Sequence, residues 1–326
     1  MSLKTFVRIA AHAQLLPVLE SGEETLVGGQ AVMEGVMMRA PHSYCVAVRR
    51  PDGAIVTEES PLPRVSEKYR IFKLPIFRGV GTLGQAMSLG MKALRFSANA
   101  ALSEEEQNEA KPVEVSSWMM TANVIFSLAF FVFLYKFVPL YLTTLLERVF
   151  PVLHGRIAFN ATDGLIRMAI FVGFLYIISR WKDIHRVFQY HGAEHKVVFN
   201  FESGKPVNVE NAQRFTTLHP RCGTSFLLVV MLISMVVYTL LPLDGFAAKF
   251  AARIVLLPVI AGLSYELIRY AAKRQRSLMA WLTAPGLWLQ KITTQPPSDD
   301  QTAVAIRALD GAMALEEKQG GQLVIA

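Results

Sequence analysis

Two short stretches of this chain carry residue types that bind metal ions and move protons. The first is Tyr190-His191-Gly192-Ala193-Glu194-His195-Lys196. Residues four apart share one face of a helix, so His191 and His195 can offer two imidazoles to one ion. Glu194 stands beside the second histidine and can poise a water on that ion. The order H-x-x-E-H reverses the common zinc-protease motif. Gly192 is a poor helix former. The bland alternative is a pair of solvent-facing histidines at the end of an amphipathic helix.

The second stretch is His219-Pro220-Arg221-Cys222-Gly223-Thr224-Ser225. His219 and Cys222 are three apart, and both suit a borderline-soft ion such as zinc. A thiol at a membrane mouth would also be comfortable as a purely structural group. All four side chains fall in or beside the segment 180–221. Four protein ligands would close a structural site, whereas three and an open position would make a catalytic one.

Other charged residues stand out by their surroundings. Glu266 lies in an apolar stretch, where a carboxylate is expensive and is a functional candidate by default. It can complete the coordination shell or pair with Arg269, three residues on. Glu34 and Arg39 are the charges of the glycine-rich run Gly28 to Arg39. They either reach the metal site or its substrate, as Arg221 also can, or belong to a Gly-kinked strand packed on the rest of the chain. Gly79-Val80-Gly81-Thr82-Leu83-Gly84 fits G-x-G-x-x-G, but the dinucleotide reading needs a βαβ unit. A small-residue helix packed closely on a neighbour is the better expectation.

The elements that must position these residues point to lipid. The chain has 326 residues, 52% hydrophobic and only 18% charged, against about 25% charged in an average soluble domain. A crossing helix needs roughly 20 apolar residues. Val115–Tyr135, with apolar character continuing to Leu146, and Cys222–Leu243 meet that test. Met168–Ser179 meets it if Arg167 snorkels to the interface, and Ile254–Tyr265 only by including Glu266. This predicts four crossings, with two buried non-crossing helices as the alternative for the weaker pair. The net charge of +7 gathers between the apolar segments, which suggests orientation in a membrane and no nucleic-acid partner. Arg180, Lys182, Arg186, Lys196, Lys205, Arg214 and Arg221 mark the 180–221 segment as cytoplasmic. Both termini then lie on that same inner side of the cell membrane. The two cysteines, Cys45 and Cys222, suit a reducing setting.

The expected fold class is α+β, a polytopic helical membrane domain with a small N-terminal β-rich cytoplasmic module. Residues 1–100 form that module and a helix, opening with a short amphipathic helix over Met1–Glu20. A hairpin is expected from Ser43–Val48 and Ala54–Thr57 across Arg50-Pro51-Asp52-Gly53. An acidic linker follows over 101–114, then the membrane domain over 115–276. Residues 277–326 hold an interfacial helix with Trp281 and Trp288. A C-terminal helix begins at the capping box Ser298-Asp299-Asp300-Gln301.

The runs from Gly28 to Arg39, His191 to Lys196 and His219 to Ser225 together resemble the YqhQ-like bacterial membrane proteins. The resemblance extends from about Val27 to Thr294. That family is a domain of unknown function, sometimes described as predicted metal-dependent enzymes. It implies a multi-pass membrane protein without a settled reaction. The residues themselves suggest a zinc-dependent hydrolase acting on a peptide or a lipid-linked amide or ester. His191 and His195 would be ligands, with His219, Cys222 or Glu266 completing the site and Glu194 as general base. The competing class is a membrane scaffold or assembly factor in which the same cluster is a structural metal or polar site. A transporter would need paired intramembrane charges or broken, repeated helices; only Glu266 and Arg167 qualify and no repeat is visible, so this class ranks last.

Overall fold

The structure is a computed structural model that describes residues 27–63, 69–100, 117–219, 222–274 and 276–318. The expected helix over Met1–Glu20, the acidic linker and Arg221 lie outside the described residues, as do the side chains of Arg269 and Trp281.

Four antiparallel strands form a meander in the order β1 (Gly28–Val32), β2 (Gly35–Arg39), β3 (Ser43–Arg49) and β4 (Ile55–Pro61). The β3–β4 hairpin turns at the expected residues. Gly53 takes φ +88°, and its N–H donates to the Arg50 carbonyl at 2.9 Å. The glycine-rich run is a hairpin and not one kinked strand. Met33 and Glu34 make the turn, Glu34 adopts φ +52°, and Val32 pairs with Gly35. Gly35 is required by close approach, since a Cβ there would lie 2.3 Å from the Ala47 carbonyl oxygen.

Strands β2 and β3 are almost continuously apolar because both faces are covered. On one face Met37, Tyr44, Val46 and Val48 pack with Leu89 and Ala93 of α1 (Phe77–Ala100). On the other, Val36, Met38, Cys45 and Ala47 meet two helices, α5 (Lys182–Glu202) and α11 (Asp299–Lys318). Alanines at 305, 308 and 312 let α11 lie close to the sheet. Helix α11 starts at a capping box: the Ser298 N–H donates to Gln301 Oε1 at 2.9 Å, and the Gln301 N–H to Ser298 Oγ at 3.3 Å. The G-x-G-x-x-G run lies inside α1, where a Cβ at Gly79 would sit 2.7 Å from Tyr265 Cβ.

The apolar helices are α2 (Ser117–Val132), α3 (Val138–Glu147), α4 (Arg156–Ile178), α7 (Gly223–Leu240), α8 (Phe246–Val255) and α9 (Leu257–Arg274). Between α5 and α7 comes the short α6 (Val209–Gln213), and α10 (Arg276–Thr293) follows α9. A π turn over Phe133–Phe137 joins α2 to α3. Among the described residues, Ala122–Glu147 and Arg156–Ile178 are long and apolar enough to cross a membrane. A third such segment exists if α8 and α9 count as one span, although they bend by 53°. Four crossings were expected. The apolar part of α7, Phe226–Leu240, is shorter than a standard span, and Ile254–Tyr265 is not one straight helix. Pro258 lacks the N–H that would bond the Ile254 carbonyl, and its ring crowds that carbonyl, so the chain breaks at Leu256.

Arg167 does not snorkel. It is 3% exposed, paired with Asp163, and donates to Ser234 Oγ at 2.7 Å. Arg253 is also buried, 3.4 Å from the same carboxylate. Asp163 thus stands between two buried guanidiniums.

Candidate metal centre

The H-x-x-E-H run sits in the second half of α5, an uninterrupted 21-residue helix. Gly192 does not break it. A Cβ at that position would lie 2.1 Å from the Gln295 carbonyl oxygen, so the helix gives up roughly 1 kcal/mol of propensity to let the chain after α10 pass. The Gln295 N–H in turn donates to the Phe188 carbonyl at 2.9 Å.

His191 and His195 lie on one face, ring centroids 4.4 Å apart. Each is oriented by a backbone carbonyl from another element. His191 Nδ1 donates to the Thr293 carbonyl at 2.8 Å, and His195 Nδ1 donates to the Thr217 carbonyl at 2.5 Å. Such outer partners fix tautomer and ring direction, leaving Nε2 as the coordinating atom. Cys222, the residue before the first turn of α7, places Sγ 3.3 Å from His191 Nε2. One ligand atom from each of His191, His195 and Cys222 lies within 4.8 Å of the others. Two imidazoles and a thiolate suit zinc. The buried His195 has its pKa pushed down to about 4, chiefly by desolvation. It is therefore the neutral imidazole that a metal requires.

Glu194 is buried and lines the same cavity of about 350 Å³ as these three side chains. Burial raises its pKa, against the opposing influence of His191, His219 and a hydrogen bond from the Gly29 N–H.

His219 lines the same cavity but stands outside the three-residue cluster. Its ring is 5.5 Å from that of His195 and 4.4 Å from Phe199, and its Nε2 stands 3.6 Å from Glu202 Oε2. Its backbone is clamped by Gln290, which accepts from the His219 N–H at 2.7 Å and donates to its carbonyl at 2.8 Å. Glu266 is not part of the three-residue cluster, and the side chain of Arg269, its other expected partner, lies outside the described residues. Glu266 receives Arg78 Nε at 2.5 Å and the Ile76 N–H at 3.3 Å. Glu34 is held by Arg186 at 2.5 Å and by the Tyr190 hydroxyl at 3.3 Å. Arg39 does line the cavity.

Sequence reasoning missed Lys196, whose Nζ donates to the Gln213 and Phe215 carbonyls at 2.7 and 2.8 Å. It pins the segment carrying Thr217. Gln290 and the carbonyls of Thr217 and Thr293 were missed as well. Backbone carbonyls leave no signature in a sequence, but a lysine inside a helix that packs on a core could have drawn notice.

This geometry can be set beside known proteins. Residues 74–315 match the family described as Protein of unknown function (DUF1385). The chain belongs to that family. It is also 37% identical over 297 residues to the Uncharacterized protein YqhQ of Bacillus subtilis (strain 168), covering 89% of this chain and 92% of that one. No solved structure matches the chain. The DUF1385 match takes in all of α5, Cys222 and Glu266, and begins after the four-stranded sheet that carries Arg39.

Proposed function

We propose that this chain is a zinc-dependent hydrolase embedded in the bacterial cell membrane, cleaving an amide or ester bond at the cytoplasmic interface. The observation that carries the reading is the convergence of His191, His195 and Cys222 within 4.8 Å on the wall of a cavity that Glu194 also lines. His219 lines the cavity outside the three-residue cluster, and three protein ligands with an open position would be the pattern of catalytic zinc. The scaffold reading takes the cluster as a polar site or as a closed metal site, for which His219 would supply the fourth ligand.

Zinc in such a site polarises the scissile carbonyl and acidifies a water. The chain's own residues do the rest. Thr293 and Thr217 hold the two imidazoles in place through their carbonyls. Glu194 takes the proton of the attacking water and returns it to the leaving group.

For the membrane part we propose four crossings: α2–α3, α4, α7 and the broken α8–α9 pair. The Lys and Arg distribution puts α5, the metal cluster and both termini on the inner face.

Elemental analysis of detergent-purified protein tests the site. About one zinc per chain is expected in the wild type and in Glu194→Gln, and none in His191→Ala or Cys222→Ala. A wild type purified without chelators that holds no metal would sink the reading.

A further inference from the structure

The cavity beside the metal cluster contains one positive side chain and one carboxylate, Arg39 and Glu194. Elsewhere the described arginines that make ion pairs use acidic partners: Arg78 meets Glu266, Arg186 meets Glu34, and Arg167 meets Asp163. Arg39 is partly buried, yet its guanidinium makes no hydrogen bond or ion pair with a described residue. Its one electrostatic neighbour is the phenol of Tyr265. An arginine remains charged in a protein interior. On the wall of a cavity and without a described hydrogen-bond partner, the guanidinium is placed to take an anionic ligand.

The floor beside it is open. Arg39 pairs directly with Gly28 across β1 and β2, and side chains of directly opposed residues lie on the same face of a sheet. A Cβ at Gly28 would meet nothing within 4 Å, and Gly28 does not take a positive φ. Neither packing nor backbone conformation demands glycine there. Its neighbour Gly29 differs, since a Cβ would lie 2.6 Å from the Met37 carbonyl oxygen. The missing side chain at 28 leaves room next to the guanidinium. The rest of the wall is largely apolar, with Leu83, Leu89 and Phe226.

We propose that Arg39 is an anion-binding residue of this cavity, taking the carboxylate or phosphate of an amphiphilic substrate whose apolar body lies on Leu83, Leu89 and Phe226. This rests on the hydrolase reading of the same cavity and narrows it: the bond cleaved lies near an acidic group. A guanidinium binds either anion through two parallel hydrogen bonds, so carboxylate and phosphate share the chemistry.

The test is direct binding, which needs no turnover. Detergent-purified full-length protein, zinc-loaded and metal-free, is titrated calorimetrically with N-acetyl-leucine, N-acetyl-leucine amide and butyl phosphate. At least one of the two anions should bind at least tenfold more tightly than the neutral amide. Arg39→Gln should remove that preference, and Arg39→Lys should restore part of it. Gly28→Val should block binding without lowering the melting temperature of the free protein, because a Cβ there meets nothing within 4 Å. A carboxylate preference identifies a peptide-like or acylated amino-acid substrate, and a phosphate preference a phosphorylated one. Anion binding that survives Arg39→Gln, or a neutral amide that binds as well as the acid, would overturn the proposal. Arg39-dependent anion binding in a protein that takes up no zinc would keep this site and discard the hydrolase. Zinc uptake without anion binding would do the reverse.

Discussion

The Nε2 atom of His191 lies 3.3 Å from Sγ of Cys222, although the two residues are 31 apart in the chain. At that distance the thiol donates to the imidazole nitrogen, and an ion held by both would take the place of that proton. What brings them together is the segment between α5 and α7, which folds back on α5 so that the Thr217 carbonyl meets His195. The Lys196 ammonium and the Gln290 amide hold the intervening segment in place.

The orientation in the membrane can be read by labelling. Val152, in the turn between α3 and α4, is 74% exposed, and the Glu210 side chain is 79% exposed. An impermeant maleimide should label Val152→Cys in intact cells and Glu210→Cys only after lysis. The opposite pattern would invert the proposed topology and move the metal cluster to the outer face.

Two glycines should respond in opposite ways to alanine. Gly192→Ala forces a Cβ against the Gln295 carbonyl, and overpacking of this kind costs about 1–3 kcal/mol. Gly84 is also helical, but a Cβ there meets nothing within 4 Å. Gly84→Ala should therefore stabilise by about 0.5–1 kcal/mol. Thermal unfolding in detergent reads both, and a stabilised Gly192→Ala would refute the tight crossing at that residue.

Glu316 ties the C-terminal helix to the sheet. It is 3% exposed and accepts from the His42 N–H, His42 Nδ1 and Ser43 Oγ, each at 2.9 Å. Burial pushes its pKa up, but these hydrogen bonds outweigh that and hold it below the usual carboxylate range. A depressed folded-state pKa gives stability that is fully present above the unfolded value, about 4.3. That stability is lost as pH falls through the lower folded value. Glu316→Gln should cost about 1–3 kcal/mol at neutral pH. Below pH about 4 the gap between variant and wild type should close. A gap that stays constant down to the acid limit would show that the carboxylate charge is not what matters.

Asp163 faces two buried guanidiniums, Arg167 and Arg253. Arginine cannot shed its proton, so Asp163→Ala leaves both charges uncompensated in an apolar helix bundle. A loss of about 3–5 kcal/mol is expected. Arg49→Ala, which breaks the exposed pair with Asp300, should change little. Melting temperature and membrane yield compare the two. Equal effects would mean that the buried cluster is already neutralised by something else.

Much of the local structure was legible from the amino-acid order. Proline, aspartate and glycine at 51–53 set the β3–β4 turn because φ is constrained at one end and freed at the other. Ser298 and Gln301 set the start of α11 because their side chains satisfy the first orphan N–H groups. The four-residue spacing of His191 and His195 set two ligands on one face once that segment was helical. These are short-range consequences of backbone geometry. Tertiary structure decided which distant groups meet. Cys222 reached the two histidines, whereas His219 lies by Glu202, Glu266 pairs with Arg78 and Glu34 with Arg186. All three are of a residue type that can bind a metal. Nothing in the spacing of residues within one segment determines how closely two segments approach. That is settled by the packing of α5 and α11 on one face of the sheet and α1 on the other, where volumes and glycine positions from the whole chain act together.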